Sequence, residues 1–450
     1  MSTAAVQEPE VLVDMKGPVA VVTLNRPKAL NSLSLGMVQQ LLALNTQITA
    51  QPRPGEPVSC VVVKGAGGKA FCAGGDVKEL VVRALGRSNG ASAASAASAA
   101  SSASAPAFAL ASGPDPAAFG VAFFRTEYAN NAAISQLPVP YVALIDGICM
   151  GGGVGASLHG SFRVATERTV LAMPEAGIGL FPDIGASFFL HRLPGCLGRY
   201  VGLTGERLTG AEVKDAGFAT HLVPSARISE LEAALVALGP RAADPSVVDN
   251  LIRTFEQPPA VAAAAAAAAS AGGGGGSSSL GSSALLEWKL PLINVHFGCG
   301  SVEQVIASLE AAVAGAEAAS PQPAEGSLEA AQAAFLKSTL AAMRRGSPLS
   351  HAMTWEMLRR SAARHMTLRQ ALEMEFVMAA RCVHGQADFL EGVRALLVDK
   401  DNKPAWKYGS VRQIPPQVVA GLFEPLPGEG PLFGGPGSGS GSGTGPASRM

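Results

Sequence analysis

The chain has no surplus of charge of either sign. Its 450 residues carry 34 Lys and Arg against 35 Asp and Glu, a formal net charge of -1. That balance argues against a general nucleic-acid binder and leaves room only for a local basic patch toward a phosphorylated ligand. Cysteine is sparse and unclustered. The six, at 60, 72, 149, 196, 299 and 382, form no CxxC pair and no zinc-like group with histidine, so no metal is expected. Cys60, Cys72 and Cys149 lie in or beside apolar strands, and buried thiols in a reducing compartment are the expectation. Long uninterrupted apolar runs are missing, apart from the alanine tract near 259–272. With its glycines, and the glutamine and prolines just before it, that tract reads as a flexible insert, not a membrane anchor. The opening MSTAAVQEPEVLVDMKG has neither the regions of a signal peptide nor an arginine-rich amphipathic stretch.

What is present is a chain long enough for a full core and a second domain. Residues 11–24 read as a hairpin around a Lys-Gly-Pro turn. The spacing of Leu33, Met37, Leu41 and Leu42 predicts a helix over 33–48. The run 57–64 is a buried strand, and 118–137 an amphipathic helix. Strand, glycine bend and helix then follow at Val142–Ile145, Gly151–Gly153 and 154–160. Short strands are expected at Phe162–Ala165, Val170–Ala172 and 218–223, with helices at 184–193 and 209–217. This is an α/β arrangement. The pattern does not separate a spiral of ββα units from another layered α/β fold.

Two low-complexity tracts, 86–116 and 258–283, divide the chain. The first interrupts a core spanning 11–257. The second leads into a helical domain at 284–410, with helical spacing at 301–316, 327–344, 351–362 and 367–382. A flexible tail is expected from 411 to 450.

The chemistry-bearing residues follow the glycine bends. GAGGKAFCAGGD at 65–76 and GICMGGGVG at 147–155 each come after an apolar strand. Two such bends can aim backbone N–H groups at one developing oxyanion, and Gly75 and Gly152 are the candidate donors. Gly152 also lies where a helix begins, so its N–H is not needed inside that helix. Ordinary tight turns are the competing explanation. Glu175 and Asp183, eight residues apart, each follow a proline. Apolar neighbours raise a carboxyl pKa and suit Glu175 to proton transfer. Asp183 reads equally as the N-cap of the helix at 184–193.

Other matches fail. GRSNG at 86–90 fits a nucleophile elbow but opens the low-complexity tract, with no strand and helix around it. GAGGKA at 65–70 lacks the serine or threonine and the glycine spacing of a phosphate loop. His159 and His191 are isolated and expected to make structural hydrogen bonds.

NRPKALNSL, KAFCAGGDVKEL and DGICMGGGVG resemble the landmarks of the crotonase (enoyl-CoA hydratase/isomerase) superfamily. MPEAGIGLFPDIGASFFLHRLPG, GLTGERLTGAEVKDAGFATHLVPS and DFLEGVRALLVDKDNKPAW resemble its hydrolase branch, which cleaves 3-hydroxyisobutyryl-CoA in valine breakdown. The resemblance implies a crotonase-like spiral of ββα units with a C-terminal helical region. It implies that Gly75 and Gly152 hold a thioester oxygen, that Glu175 and Asp183 are catalytic, and that Glu127 and Asp76 belong to the substrate site. Gly155 stands where hydratases of the superfamily carry a catalytic glutamate, which argues against hydration and implies space for a branched acyl group. Arg26, Lys28 and Lys69 are implied contacts of the CoA phosphates. A small acyl-CoA is the expected partner and no cofactor is required. Other outcomes stay open: a hydrolase or hydratase acting on another small acyl-CoA such as 3-hydroxypropionyl-CoA, or a non-catalytic acyl-CoA-binding subunit. The ending Ser448-Arg449-Met450 resembles a peroxisomal tripeptide, so a peroxisomal import receptor is an expected partner and the peroxisome the expected address, with the mitochondrion as alternative.

Overall fold

The computed structural model describes residues 8–50, 58–86, 116–256, 285–319 and 323–434. Most of the two low-complexity tracts and the terminal tripeptide lie outside these ranges. Ten strands among the described residues form two sheets. They are β1 (Val11–Lys16), β2 (Val19–Leu24), β3 (Cys60–Gly65), β4 (Ala70–Cys72), β5 (Tyr141–Ile145), β6 (Ile148–Met150), β7 (Phe162–Ala165), β8 (Val170–Ala172), β9 (Leu208–Thr209) and β10 (His221–Leu222). The larger sheet has the order β1-β2-β3-β5-β7-β10, and the smaller one β4-β6-β8-β9. Each consecutive pair β3–β4, β5–β6 and β7–β8 gives one strand to each sheet. The neighbours within these sets run parallel. This is a spiral of ββα turns, the alternative that pattern alone left open.

The buried β-branched runs of β3 and β5 require cover on both sheet faces. Alternation along β3 divides that cover. Val61 and Val63 face the main core, whereas Cys60 and Val62 face a second apolar cluster. Leu231, Leu235, Val248 and Ile252 complete the second cluster. They come from helices over Ile228–Ala237 and Pro245–Arg253, which sequence spacing did not single out.

The helices that bear on the site are α1 (Leu35–Ala50), α2 (Val77–Ala84), α3 (Ala118–Ser135), α4 (Gly152–Leu158) and α5 (Ala186–Phe189). α1 starts two residues later than its apolar spacing suggests. Leu33 is held extended in a bridge to Gly75, and Ser34 Oγ accepts the Met37 N–H at 3.1 Å. The helix expected at 184–193 is broken into α5 and a 3-10 turn, Leu190–Arg192. The one expected at 209–217 yields its first residue to β9 and is helical over Ala211–Asp215.

Beyond the second tract come α6 (Val302–Ala318), α7 (Leu328–Arg345), α8 (Pro348–Arg364) and α9 (Leu368–Val383). Their apolar faces join the core of the spiral: Leu336, Leu340 and Phe376 belong to the same cluster as Phe123 and Phe124. α9 crosses α3 closely, and a Cβ on Gly120 would stand 2.8 Å from Val383 Cγ1. The flexible tail expected from 411 is corrected over its described part. Residues 411–434 pack down, with Leu422, Phe423 and Leu432 buried and Arg125 bonded to Glu429 and the Gly430 carbonyl. Three apolar side chains and a fixed guanidinium hold a segment that composition marked as loose.

Candidate active site

The two glycine bends meet. β4 leads to Gly74 and Gly75, and β6 leads to Gly151 and the start of α4 at Gly152. A Cβ on Gly152 would stand 3.1 Å from Gly75 N and 2.3 Å from Glu127 Oε1. A side chain there would push the Glu127 carboxyl aside and crowd the Gly75 amide. The backbone on either side of Gly75 is fixed by Leu33, which donates its N–H to the Gly74 carbonyl and accepts the Asp76 N–H, both at 2.8 Å. Gly75 N–H itself is left free of any acceptor among the described residues, as is Gly152 N–H at the first position of its helix. Both residues line one cavity of about 580 Å³.

Three carboxyls enter that cavity: Glu127 from α3, Glu175 at the head of a 3-10 turn, and Asp183 after it. All are buried. Glu127 Oε1 and Glu175 Oε2 have no hydrogen-bond partner. Such buried, unpartnered oxygens are costly and mark a place prepared for a ligand. Asp183 Oδ2 accepts the Tyr128 hydroxyl at 2.7 Å. Burial pushes the pKa of all three up. The charge on Asp183 adds to the rise at Glu127 and Glu175. For Asp183, burial outweighs the Tyr128 hydrogen bond and pushes the value up to about 7. The cluster therefore holds protons near neutrality and can pass one on.

The expected N-cap role of Asp183 is not what the fold uses. α5 starts at Ala186 with no side-chain cap, and the Asp183 carboxyl turns to Tyr128 and the cavity. Gly155 is corrected as a substrate-side residue. It does not line the cavity, and a Cβ there would meet Ile184 Cβ at 2.9 Å and Asn131 Nδ2 at 3.1 Å, so no acyl space opens at that point. Asp76 is likewise turned away, accepting Arg26 at 3.0 Å. Arg26 is spent on Glu10, Asp76 and the Ser32 carbonyl. Lys28 and Lys69 are exposed and lie outside the cavity lining. His159 and His191 make the structural hydrogen bonds expected of them, to the Ile184 and Ser187 carbonyls.

Sequence reasoning missed the far wall of the cavity. Phe123, Phe124 and Leu180 form its apolar lining, and Ala342, Gly346, Leu396 and Leu397 close it from the helical region. It also missed Arg207 and Arg345, two exposed arginines on the rim. Their only signal in the sequence is their place in the blocks GLTGERLTG and RRGSPLS.

Comparison with known proteins agrees with this architecture. A family model described as enoyl-CoA hydratase/isomerase matches residues 19–423. A mouse protein named mitochondrial 3-hydroxyisobutyryl-CoA hydrolase is 36% identical over 418 residues, 93% of this chain and 89% of its own length. An Arabidopsis thaliana protein named 3-hydroxyisobutyryl-CoA hydrolase 1 is 35% identical over 426 residues, 94% of each. Among solved structures, an enoyl-CoA hydratase from Rhodobacter sphaeroides is 31% identical with a TM-score of 0.69, covering 93% of this chain and 98% of its own. The peroxisomal address read from Ser448, Arg449 and Met450 is corrected here, since the mouse, rat and human relatives are named as mitochondrial proteins. With a model match across most of its length and relatives above 30% identity at such coverage, the chain belongs to the enoyl-CoA hydratase/isomerase, or crotonase, family.

Proposed function

We propose that this chain hydrolyses 3-hydroxyisobutyryl-CoA, giving 3-hydroxyisobutyrate and free CoA, in the mitochondrion. The observation that carries the reading is the meeting of two acceptor-free amides, Gly75 and Gly152, with the unpartnered carboxyl of Glu175 in one cavity. The thioester carbonyl oxygen sits between the amides. They stabilise the negative charge that develops when the carbonyl carbon is attacked, about 3 kcal/mol for each donor. Glu175, ionised, either attacks that carbon, forming a mixed anhydride that water then cleaves to release the acid and restore the carboxylate, or takes a proton from a water that attacks the carbon directly. The C–S bond breaks and the thiolate leaves with a proton from the carboxyl cluster. Asp183 orients the substrate hydroxyl through the oxygen that Tyr128 does not occupy, and Glu127 takes part in holding the acyl group. Arg207 and Arg345, in place of Arg26, Lys28 and Lys69, receive the CoA phosphates at the rim. The curated relatives' names support the substrate.

A second reading is hydration of a small enoyl-CoA. It is favoured by the pair Glu127 and Glu175 in one cavity and by the hydratase named among the solved structures. One assay separates the two. Free thiol is measured with 3-hydroxyisobutyryl-CoA, and enoyl absorbance with a small enoyl-CoA. The expected outcome is thiol release by the wild type and a loss of about a hundredfold or more in Glu175→Gln. Loss of enoyl absorbance without thiol would establish hydration instead. Thiol release unchanged in the variant would remove Glu175 from the mechanism.

A further inference from the structure

Glu375 is a fully buried carboxyl with no part in the proposed reaction. It projects from α9, in the helical region, onto the segment that follows Asp183. Its Oε2 accepts the Gly185 N–H at 2.6 Å. Its Oε1 accepts the Ser187 N–H at 2.8 Å and the Ser187 hydroxyl at 2.6 Å. These donors hold its pKa down, but burial outweighs them and pushes it up to about 8.

The segment it grips is a strained turn, closed by its own Ala186 N–H to Asp183 carbonyl bond at 3.0 Å. Ile184 has a φ of 60° and Gly185 one of 88°, both in the left-handed region. For a β-branched residue this conformation costs on the order of 1 kcal/mol or more and persists only where surrounding contacts impose it. The contacts are few and identifiable. His159 Nε2 binds the Ile184 carbonyl at 2.7 Å, the Tyr128 hydroxyl reaches Asp183, the Asp183 carbonyl accepts the Ala186 N–H, and Glu375 accepts the Gly185 and Ser187 donors. A Cβ on Gly185 would stand 2.9 Å from His159 Cε1 and 2.7 Å from Leu368 Cδ1, so the turn is also boxed in sterically.

We propose that Glu375 is a positioning residue: through Gly185 and Ser187 it fixes the turn that aims the Asp183 carboxyl into the cavity. The C-terminal helices thus set the geometry of an active-site group on the spiral, besides closing the cavity over it. This inference rests on the role proposed for Asp183.

The test uses the full-length Glu375→Gln and Ser187→Ala proteins. Glutamine keeps the shape but turns an NH2 toward a backbone donor. Alanine removes one hydroxyl and leaves Glu375 in place. Turnover is measured on whichever small acyl-CoA the wild type cleaves fastest, well below the unfolding temperature. Amide hydrogen exchange is followed over 183–187. The expected result for Glu375→Gln is a kcat lower by about tenfold or more with KM within about twofold, and faster exchange confined to that segment. Ser187→Ala moves both readouts the same way by less. A residue serving stability alone lowers the melting temperature and leaves kcat per folded molecule unchanged. Wild-type kcat in the folded variants overturns the proposal, and so does unchanged exchange at 183–187. If Glu375→Gln does not fold, Ser187→Ala decides alone. A wild type that cleaves no thioester refutes the proposed function instead, and the exchange measurement still decides whether Glu375 holds the turn.

Discussion

At the scale of single residues, the site is governed by what burial does to three carboxyls. Asp183 shows it with a sign that can be checked. Burial pushes its folded-state pKa up to about 7, against about 4 in an unfolded chain. Between those values the folded protein keeps a proton that the unfolded chain releases. Stability contributed by this group is therefore whole below about pH 4 and is lost as the pH rises through about 7. Asp183→Asn removes the titration and keeps an oxygen for Tyr128. The variant is expected to match the wild type in stability near pH 4 and to exceed it by about 1–4 kcal/mol at pH 8, measured by denaturant unfolding. Its turnover falls at both values. Gly152 obeys a steric rule instead. A methyl group there enters the 2.3 Å gap to Glu127 Oε1 and crowds Gly75 N. Gly152→Ala is expected to lower kcat by about a hundredfold while the protein still folds, as judged by circular dichroism. Gly152, Glu175 and Asp183 stood out in the sequence because a glycine bend follows an apolar strand and carboxyls stand among apolar neighbours, whereas Glu127 was implied only by the family resemblance. Gly155 shows the limit of that legibility. Its position in a motif says nothing about whether Ile184 and Asn131, distant in the chain, fill the space beside it.

Elements explain where the reading succeeded and where it broke. The apolar runs of β3 and β5 and the long helices α3, α6, α7 and α9 stood out because their periodicity extends over several turns or a whole strand. The strands β4 and β6 did not, because they lie inside the glycine-rich stretches 65–76 and 147–155 and read as bends, whereas β8 of the same sheet was expected. The late start of α5 at Ala186 follows from Ile184 and Gly185, whose left-handed backbone is held by contacts with α9 and His159. Packing between elements then carries mechanism. α3 bears Glu127 and Tyr128 and is pressed against α9 at Gly120 and Val383. Gly120→Ala puts a Cβ 2.8 Å from Val383 Cγ1. It is expected to cost about 1–3 kcal/mol of stability by denaturant titration, with Val383→Ala restoring part of the loss. A double variant no more stable than Gly120→Ala alone would show that the strain lies elsewhere.

The whole molecule poses a problem of charge. A chain of net charge -1 is proposed to bind a substrate carrying several phosphate charges, in a cavity that already holds three carboxyls. Long-range attraction cannot supply the affinity, so it has to come from cations placed locally at the rim. Arg207 directly precedes β9 on the spiral, and Arg345 ends α7 in the helical region, so the two sides of the cavity each contribute one guanidinium. Neither arginine has a carboxylate partner among the described residues, whereas Arg26 is consumed by Glu10 and Asp76. On this proposal, the phosphate contacts could not be picked out from sequence alone. The basic residues near a glycine bend catch the eye, yet Arg26 is taken up by pairing and Lys28 and Lys69 lie outside the cavity lining, both properties of the folded chain. Binding that rests on two exposed arginines is screened by salt, with a Debye length of about 8 Å at physiological ionic strength. The KM of the wild type is therefore expected to rise with added salt while kcat holds. The double variant Arg207→Ala, Arg345→Ala is expected to raise KM by about tenfold or more at low salt and to flatten the salt dependence. Steady-state thiol release between low and high sodium chloride reads both effects. A double variant with wild-type KM and an unaltered salt slope would move the phosphate contacts away from this rim.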